Sequence, residues 1–439
     1  MIRIAKPLFA FALALLTGSC ADRDDRTELV IQRFFGACQA EFGNLTDPAQ
    51  ANGECGIITA MINQFRSENP DIKVVENTVF WPGYDQLNAQ LAANGAPDLV
   101  TMHSSVIPDY KSRDLLQPLG PMLATEGIVP ADFTAAARAG VTVEGEVMGL
   151  PMDVWATLWH INQNLFDRAG LVRDGEPILP RNVDEFMAQA AQFEERTGKP
   201  YLAQITARDF SGPMRSFYIY MMQQGANVFN DERNANFDSP EGRRALQFMR
   251  DVYARGYTTP DQDYTGSLAT FLQGDAGIVV VGTWMVGELD ARSKEPDSPF
   301  YHGYAVRPVP QLFDGPEISF VDGHNWVMPR DDSRSEAEQE AALRFLRFFA
   351  QNDFQWSRTG HFPAFTKIIE SREWQSLPHR AAISSITRIG KPLPSFVRRQ
   401  APIENVVGEE AAAAMSGAKP VGKAISDMQR RTNEILRSF

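Results

Sequence analysis

Short β-rich runs alternate with amphipathic helical runs along the body of this chain, which restricts it to an α/β layered architecture with largely parallel strands. Residues 29–35 read as a strand. Ile57, Ile58, Met61, Ile62 and Phe65 then recur at helical spacing until Asn69-Pro70 stops the helix. Residues 72–79 form a second strand, 84–93 a helix ended near Gly95, and 98–102 a third strand, giving the order βαβαβ. Farther on, residues 183–196 place Phe186, Ala190 and Phe193 on one helical face, with Gly198 behind them as a C-cap. Ser239-Pro240 opens another helix in the favoured N-cap and first-turn arrangement, and Ser335 with Glu338 makes a capping box before Leu343, Leu346 and Phe349.

At 439 residues the chain exceeds the size at which one core stops growing, so two domains are expected. The first twenty residues stand apart from that body. Arg3 and Lys6 precede an apolar run over residues 8–16, followed by Thr17-Gly18-Ser19-Cys20. Such a charged, then apolar, then small-residue order reads as an export signal, because a bilayer core needs about 20 apolar residues to span it. Cys20 stands where cleavage leaves it first, which resembles a bacterial lipoprotein signal; residues 1–19 are then the signal and 20–26 a tether. The formal charge of −13 argues against nucleic acid as a partner.

With Cys20 set aside for lipidation, Cys38 and Cys55 remain, and an even remainder in an exported chain suggests one disulfide; two unrelated buried thiols are the alternative.

Enzymatic motifs are absent. The sequence has no His-Glu-x-x-His, no paired Cys-x-x-Cys, no Gly-x-Ser-x-Gly and no Gly-x-Gly-x-x-Gly. Residues 417–424 have P-loop glycine spacing but lack the hydroxyl that holds magnesium, and no strand precedes them. No cofactor and no metal are therefore expected.

Aromatic residues instead recur in loops beside small polar groups: Phe80-Trp81-Pro82-Gly83-Tyr84, Met102-His103-Ser104-Ser105, Gly282-Thr283-Trp284, Gly323-His324-Asn325-Trp326 and Gly360-His361-Phe362-Pro363. A tryptophan face covers the C–H face of a pyranose, while Asp, Asn, His and Thr satisfy its hydroxyls. Taken singly, each aromatic is more readily core than platform; five such loops together shift the balance toward a polar, ring-shaped solute.

Across most of its length the chain resembles the extracellular solute-binding proteins of carbohydrate ABC importers, the group that includes maltose-binding and glycerol-3-phosphate-binding proteins. The residues carrying the resemblance are Phe65-Arg-Ser-Glu-Asn-Pro-Asp-Ile-Lys73, Gly95-Ala-Pro-Asp-Leu99 with Leu115-Leu-Gln-Pro-Leu119, and Gly149-Leu-Pro-Met-Asp153 leading to Trp159-His-Ile-Asn162. Phe271-Leu-Gln-Gly-Asp-Ala276 leading to Gly282-Thr-Trp284, and Gly360-His-Phe-Pro363, complete the set.

The resemblance implies a two-lobed periplasmic-binding-protein fold, type II-like, with hinge strands between lobes. The expected division is residues 27–152 and 320–375 in one lobe, and 153–319 and 376–439 in the other. Hinge crossings are expected at residues 150–155 and 320–323, with Pro151 and Gly323 suited to them. The implied activity is non-catalytic binding of a mono- to trisaccharide or polyol, sealed by hinge closure and delivered to membrane permease subunits by a periplasmic monomer. Sugar phosphates are the alternative ligand, and an exported carbohydrate-active enzyme is the rival class. Carried over by position, the implied site comprises Phe35, Gly36, Trp81, Tyr84, His103, Ser104, Asp153, Trp155, Thr283, Trp284, Gly323, His324, Asn325, Trp326, His361 and Arg399. Trp284 is the expected stacking platform, His361 stands where the family often has tyrosine, and the cysteine-closed loop is expected to shape one wall of the cleft.

Overall fold

The computed structural model describes residues 24–438, so the export signal and Cys20 lie outside the described residues. Twelve strands position the site. They are β1 (Thr27–Arg33), β2 (Ile72–Thr78), β3 (Leu99–His103), β4 (Gly149–Pro151), β5 (Asp153–Asn162) and β6 (Leu202–Ala203). The remainder are β7 (Ile278–Gly282), β8 (Tyr304–Pro308), β9 (Ser319–Asp322), β10 (His324–Val327), β11 (Phe362–Pro363) and β12 (Gly390–Lys391).

The first sheet has the order β2-β1-β3-β10-β4, and the second β6-β7-β5-β9-β12, with β8 and β11 also paired to β5. The expected βαβαβ unit is present, with β1 parallel to both β2 and β3. Elsewhere the expectation of largely parallel strands holds only at the margins of the second sheet, where β6 is parallel to β7 and β9 to β12. In the second sheet β7, β8, β9 and β11 all run antiparallel to β5. The reason is β5 itself: ten buried residues, of which 157–162 pair with β7 on one side and β8 on the other, while 155–156 pair with β9 and 153–154 with β11.

The side chains of β5 alternate between two cores, as a pleated strand requires. Val154, Ala156 and Leu158 join the core beneath the first sheet, whereas Trp155, Trp159 and Ile161 join the second. The first core therefore extends under one face of the second sheet, and the lobes share packing along the strand that links them.

Two one-residue connections carry the chain directly between the sheets, and a longer passage from β10 to β11 runs through the helix Glu336–Gln351. Between β4 and β5 only Met152 intervenes, and between β9 and β10 only Gly323. They lie side by side: Met152 N–H donates to His324 O (2.8 Å) and Ser104 N–H to Gly323 O (2.9 Å). Gly323 is required by this close approach, since a Cβ there falls 2.5 Å from Asp153 O.

Local signals act as read. Asn182 and Ser239 cap the helices Val183–Thr197 and Pro240–Ala254, Gly198 ends the former at φ 69°, and Ser335 with Glu338 forms the capping box of Glu336–Gln351. The Cys38–Cys55 disulfide is formed, with a Cα–Cα distance of 5.8 Å. Its loop does not shape the cleft. The carbonyls of Pro48, Ala49 and Ala51 instead accept hydrogen bonds from Arg358, which fastens the loop to the segment after Trp356.

Candidate functional site

A cleft of about 620 Å³ opens between the sheets beside the two crossings. One wall comes from the first sheet's side: Trp81, the start of the helix Tyr84–Ala92, and His103 at the end of β3. The facing wall comes from Trp155 at the start of β5, Phe320 and Asp322 on β9, Arg215 on the helix Ser211–Met222, and Arg399 to Asn405 around the start of the helix Gln400–Ser416.

Trp155 is packed against Trp284 (5.8 Å) and Phe320 (6.0 Å), with the Arg215 guanidinium 4.5 Å over its ring. Trp155 Nε1 and Arg215 Nε have no hydrogen-bond partner among the described residues, which is unusual for buried donors. Trp81 stands opposite, 42% exposed and edge-on to His103 at 5.8 Å. The hydroxyl of Tyr84 accepts the His103 backbone N–H (3.0 Å) and lies 2.6 Å from Nδ1. The ring and the hydroxyl thus share one short hydrogen bond that fixes the orientation of His103. Burial, reinforced by His324 and Arg215, holds the His103 pKa well below its usual value, so the ring is neutral.

Asp322 clasps the two sides. Its carboxylate accepts from Ser105 N–H (3.0 Å), Ser105 Oγ (2.5 Å) and Gly323 N–H (2.8 Å). Burial still outweighs those bonds and raises its pKa.

Behind the cleft lies a second polar group. Asp153 Oδ2 accepts from Trp356 Nε1 (2.7 Å) and is 2.9 Å from His324 Nδ1, while Oδ1 accepts His324 N–H (3.1 Å). His361 Nδ1 is 2.9 Å from Thr283 Oγ1, and its Nε2 is 2.7 Å from Glu54 Oε1. Burial opposes ionisation of Asp153, but His324 and His361, with the hydrogen bonds from His324 and Trp356, outweigh it and bring its pKa to about 2. Phe35, in the left-handed region at φ 84°, packs edge-on against His324 and Trp356.

The structure thus sorts the residues expected from sequence. Trp81, Tyr84, His103, Trp155 and Arg399 line the cleft. Phe35, Asp153, Thr283, His324 and His361 gather in the buried group behind it, with Gly323 at the crossing and Gly36 beside Cys55. Ser104 and Asn325 are bonded to each other (3.0 Å) beneath the crossing. Trp326 is fully buried against Phe345 and Phe349, away from the cleft. Trp284 lines a small separate pocket and donates from Nε1 to Tyr264 OH (3.0 Å). Arg215, Asp322, Glu54 and Trp356 were not singled out from sequence. Only Glu54 carried a signal, its place beside Cys55.

Residues 56–356 match the family described as bacterial extracellular solute-binding protein. The chain belongs to that family. It is 25% identical over 303 residues to a putative ABC transporter periplasmic-binding protein, YcjN, of Escherichia coli (strain K12), covering 68% of this chain and 66% of that one. A maltotriose-binding protein of Pyrococcus abyssi is 20% identical over 341 residues, covering 74% of this chain and 67% of that one. Among solved structures, the GacH receptor of Streptomyces glaucescens superposes with a TM-score of 0.77 at 18% identity, covering 94% of this chain and 99% of that one. Maltose-bound MalE3 of T. maritima gives 0.76 at 18% identity, covering 93% and 100%. These likenesses establish the two-lobed fold.

Proposed function

We propose that this solute-binding protein takes up a neutral sugar, a mono- to trisaccharide or polyol, in the cleft between its lobes. It then passes that sugar to the permease of an ABC importer without chemical change. The observation that carries this reading is the cleft wall itself: Trp81 from one lobe faces Trp155 from the other across about 620 Å³, at the crossing strands that permit closure. A sugar held there touches both lobes only when they approach, so its binding free energy shifts the open and closed populations. The family and the sugar-binding names of relatives such as the maltotriose-binding protein support the same reading.

Charge favours a neutral ligand over a sugar phosphate. Asp85, Asp109, Asp322 and Glu404 line the cleft beside Arg113, Arg215 and Arg399, and Arg113 and Arg399 already face Asp109. Non-catalytic binding is supported by Asp153, whose carboxylate is 1% exposed and engaged by His324 and Trp356, a poor general acid for glycoside cleavage. Export through residues 1–19 and anchoring through an acylated Cys20 belong to the same proposal, and mass spectrometry of the mature N-terminus tests them.

The deciding experiment is titration with a panel of neutral sugars, followed by tryptophan fluorescence and calorimetry. Saturable binding with the sugar recovered intact is expected; release of new reducing ends overturns the proposal.

A further inference from the structure

Half of the chain's six histidines stand in one row at the lobe junction. Ring centroids of His103 and His324 are 4.9 Å apart, and those of His324 and His361 are 5.3 Å apart. Sugar binding explains His103, which lines the cleft. It does not explain the far end of the row, where His361 meets Glu54 behind the cleft wall.

Glu54, His324 and His361 each offer a ligand atom within 4.8 Å of the other two. Both imidazoles are oriented as metal-bound histidines are, with a polar partner on one ring nitrogen. His324 Nδ1 is held by Asp153 Oδ2 at 2.9 Å and His361 Nδ1 by Thr283 Oγ1 at 2.9 Å, which leaves Nε2 of each to serve as the ligand nitrogen in the site proposed below. Asp153 is itself fixed by Trp356 Nε1, so the ring of His324 is braced two layers deep.

Charge balance admits an ion in place of the ring proton that His361 shares with its neighbouring carboxylates. Two carboxylates, Glu54 and Asp153, flank His361 Nε2 at 2.7 and 4.0 Å in an interior where unpaired charge is costly. A dication on two neutral imidazoles and Glu54, with Asp153 behind His324, makes the group neutral. Entry is through Glu54, whose side chain is 24% exposed while those of His324 and His361 are buried.

We propose that Glu54, His324 and His361 bind one divalent metal ion of the zinc class. Two histidine nitrogens and a carboxylate oxygen match zinc, whose tetrahedral ligands at ~2.1 Å stand about 3.4 Å from one another. Glu54, the least buried of the three, has the freedom to close that geometry. The ion ties the start of the helix Gly53–Glu68, next to the Cys38–Cys55 disulfide, to the return crossing at β10 and to the segment entering β11. It therefore braces the fixed side of the hinge and leaves the cleft open to solute.

The test uses the tag-free full chain, stripped with EDTA, returned to chelator-free buffer and titrated with zinc chloride by calorimetry. One ion per chain, a Kd below about 1 μM and a raised melting temperature are expected, since a ligand of the folded state alone must stabilise it. His361→Ala is expected to abolish the event and Glu54→Gln to weaken it at least tenfold, whereas His302→Ala and His379→Ala leave it unchanged. Absence of stoichiometric uptake by the wild-type chain overturns the proposal, whether or not the variants fold. So does uptake that persists in folded His361→Ala and Glu54→Gln. Sugar binding is measured separately on the stripped chain, so failure of either reading leaves the other standing.

Discussion

Asp153 and Asp322 are both buried carboxylates beside the crossings between the lobes, and their surroundings are opposite. Asp153 sits among rings that carry or can carry positive charge, His324 and His361, and ionises more readily than a free aspartate despite its burial. Asp322 is held by the neutral donors Ser105 and Gly323, and there burial prevails, so its pKa is raised. His324 acts on Asp322 too, but as its weakest influence, whereas at Asp153 the two rings are the leading influence against burial. The hinge group is thereby closed around its anion, with both carboxylate oxygens of Asp153 accepting from His324 or Trp356. At the cleft wall Trp155 Nε1 and Arg215 Nε have no partner among the described residues, as is also true of Trp159 and Trp326 Nε1 in the cores.

The strongest way to break this contrast is to remove the anion at the centre of the hinge group. Asp153→Ala strands Trp356 Nε1 and the His324 ring without their acceptor and leaves His361 facing Glu54 alone. A loss of about 3–5 kcal/mol in urea-unfolding stability is expected, the usual result of breaking a buried charged pair from one side. A loss under about 1 kcal/mol shows that the group is loosely packed and that the contrast with Asp322 is unfounded.

The cleft wall is expected to behave in the opposite manner, losing binding and keeping stability. Trp81→Ala removes a partly exposed ring, so sugar affinity falls by about 1–3 kcal/mol while unfolding changes by less than about 0.5 kcal/mol. Trp284→Ala sharpens the assignment. Its indole packs against both cores and donates to Tyr264, so its loss is expected in stability, with a smaller effect on affinity than Trp81→Ala. Calorimetry with one sugar on both variants checks the order. The reverse order makes Trp284 the platform.

Much of this arrangement is legible in the residues. The βαβαβ order, the caps at Ser239 and Ser335 and the Cys38–Cys55 bridge follow from local rules, and local rules act within a few residues. The second sheet, with four strands antiparallel to β5, does not, because β5 recruits partners up to about 200 residues away and no local pattern states which. The same holds for the site. Trp81, Tyr84 and His103 are adjacent to strand ends and readable there. Arg215 lies on a helix whose spacing marks only which face is buried, and its position over Trp155 comes from packing of that helix against β5. Trp326 reads like its neighbour His324, yet one β10 residue points to the hinge group and the other into the core against Phe345.

Asp353 extends the contrast to pH. It is a third buried carboxylate, 2% exposed, accepting from the backbone N–H groups of Ala364 (3.3 Å) and Phe365 (3.2 Å). Burial dominates; those bonds and Lys367 oppose it, Asp153 adds to it, and the pKa rises to about 8. An acid whose folded pKa lies above its unfolded value of ~3.9 binds its proton more tightly when folded. Its contribution to stability is therefore complete below about pH 4 and is lost as pH rises toward 8, with a slope of up to ~1.4 kcal/mol per pH unit. Asp353→Asn keeps an acceptor oxygen without the ionisation, so the fall in stability between pH 5 and 8 is expected to flatten by that amount. Urea unfolding of both proteins across this range measures it. An unchanged slope shows that Asp353 is ionised in the folded state, and that the two backbone donors, with Lys367, do for Asp353 what His324 and His361 do for Asp153.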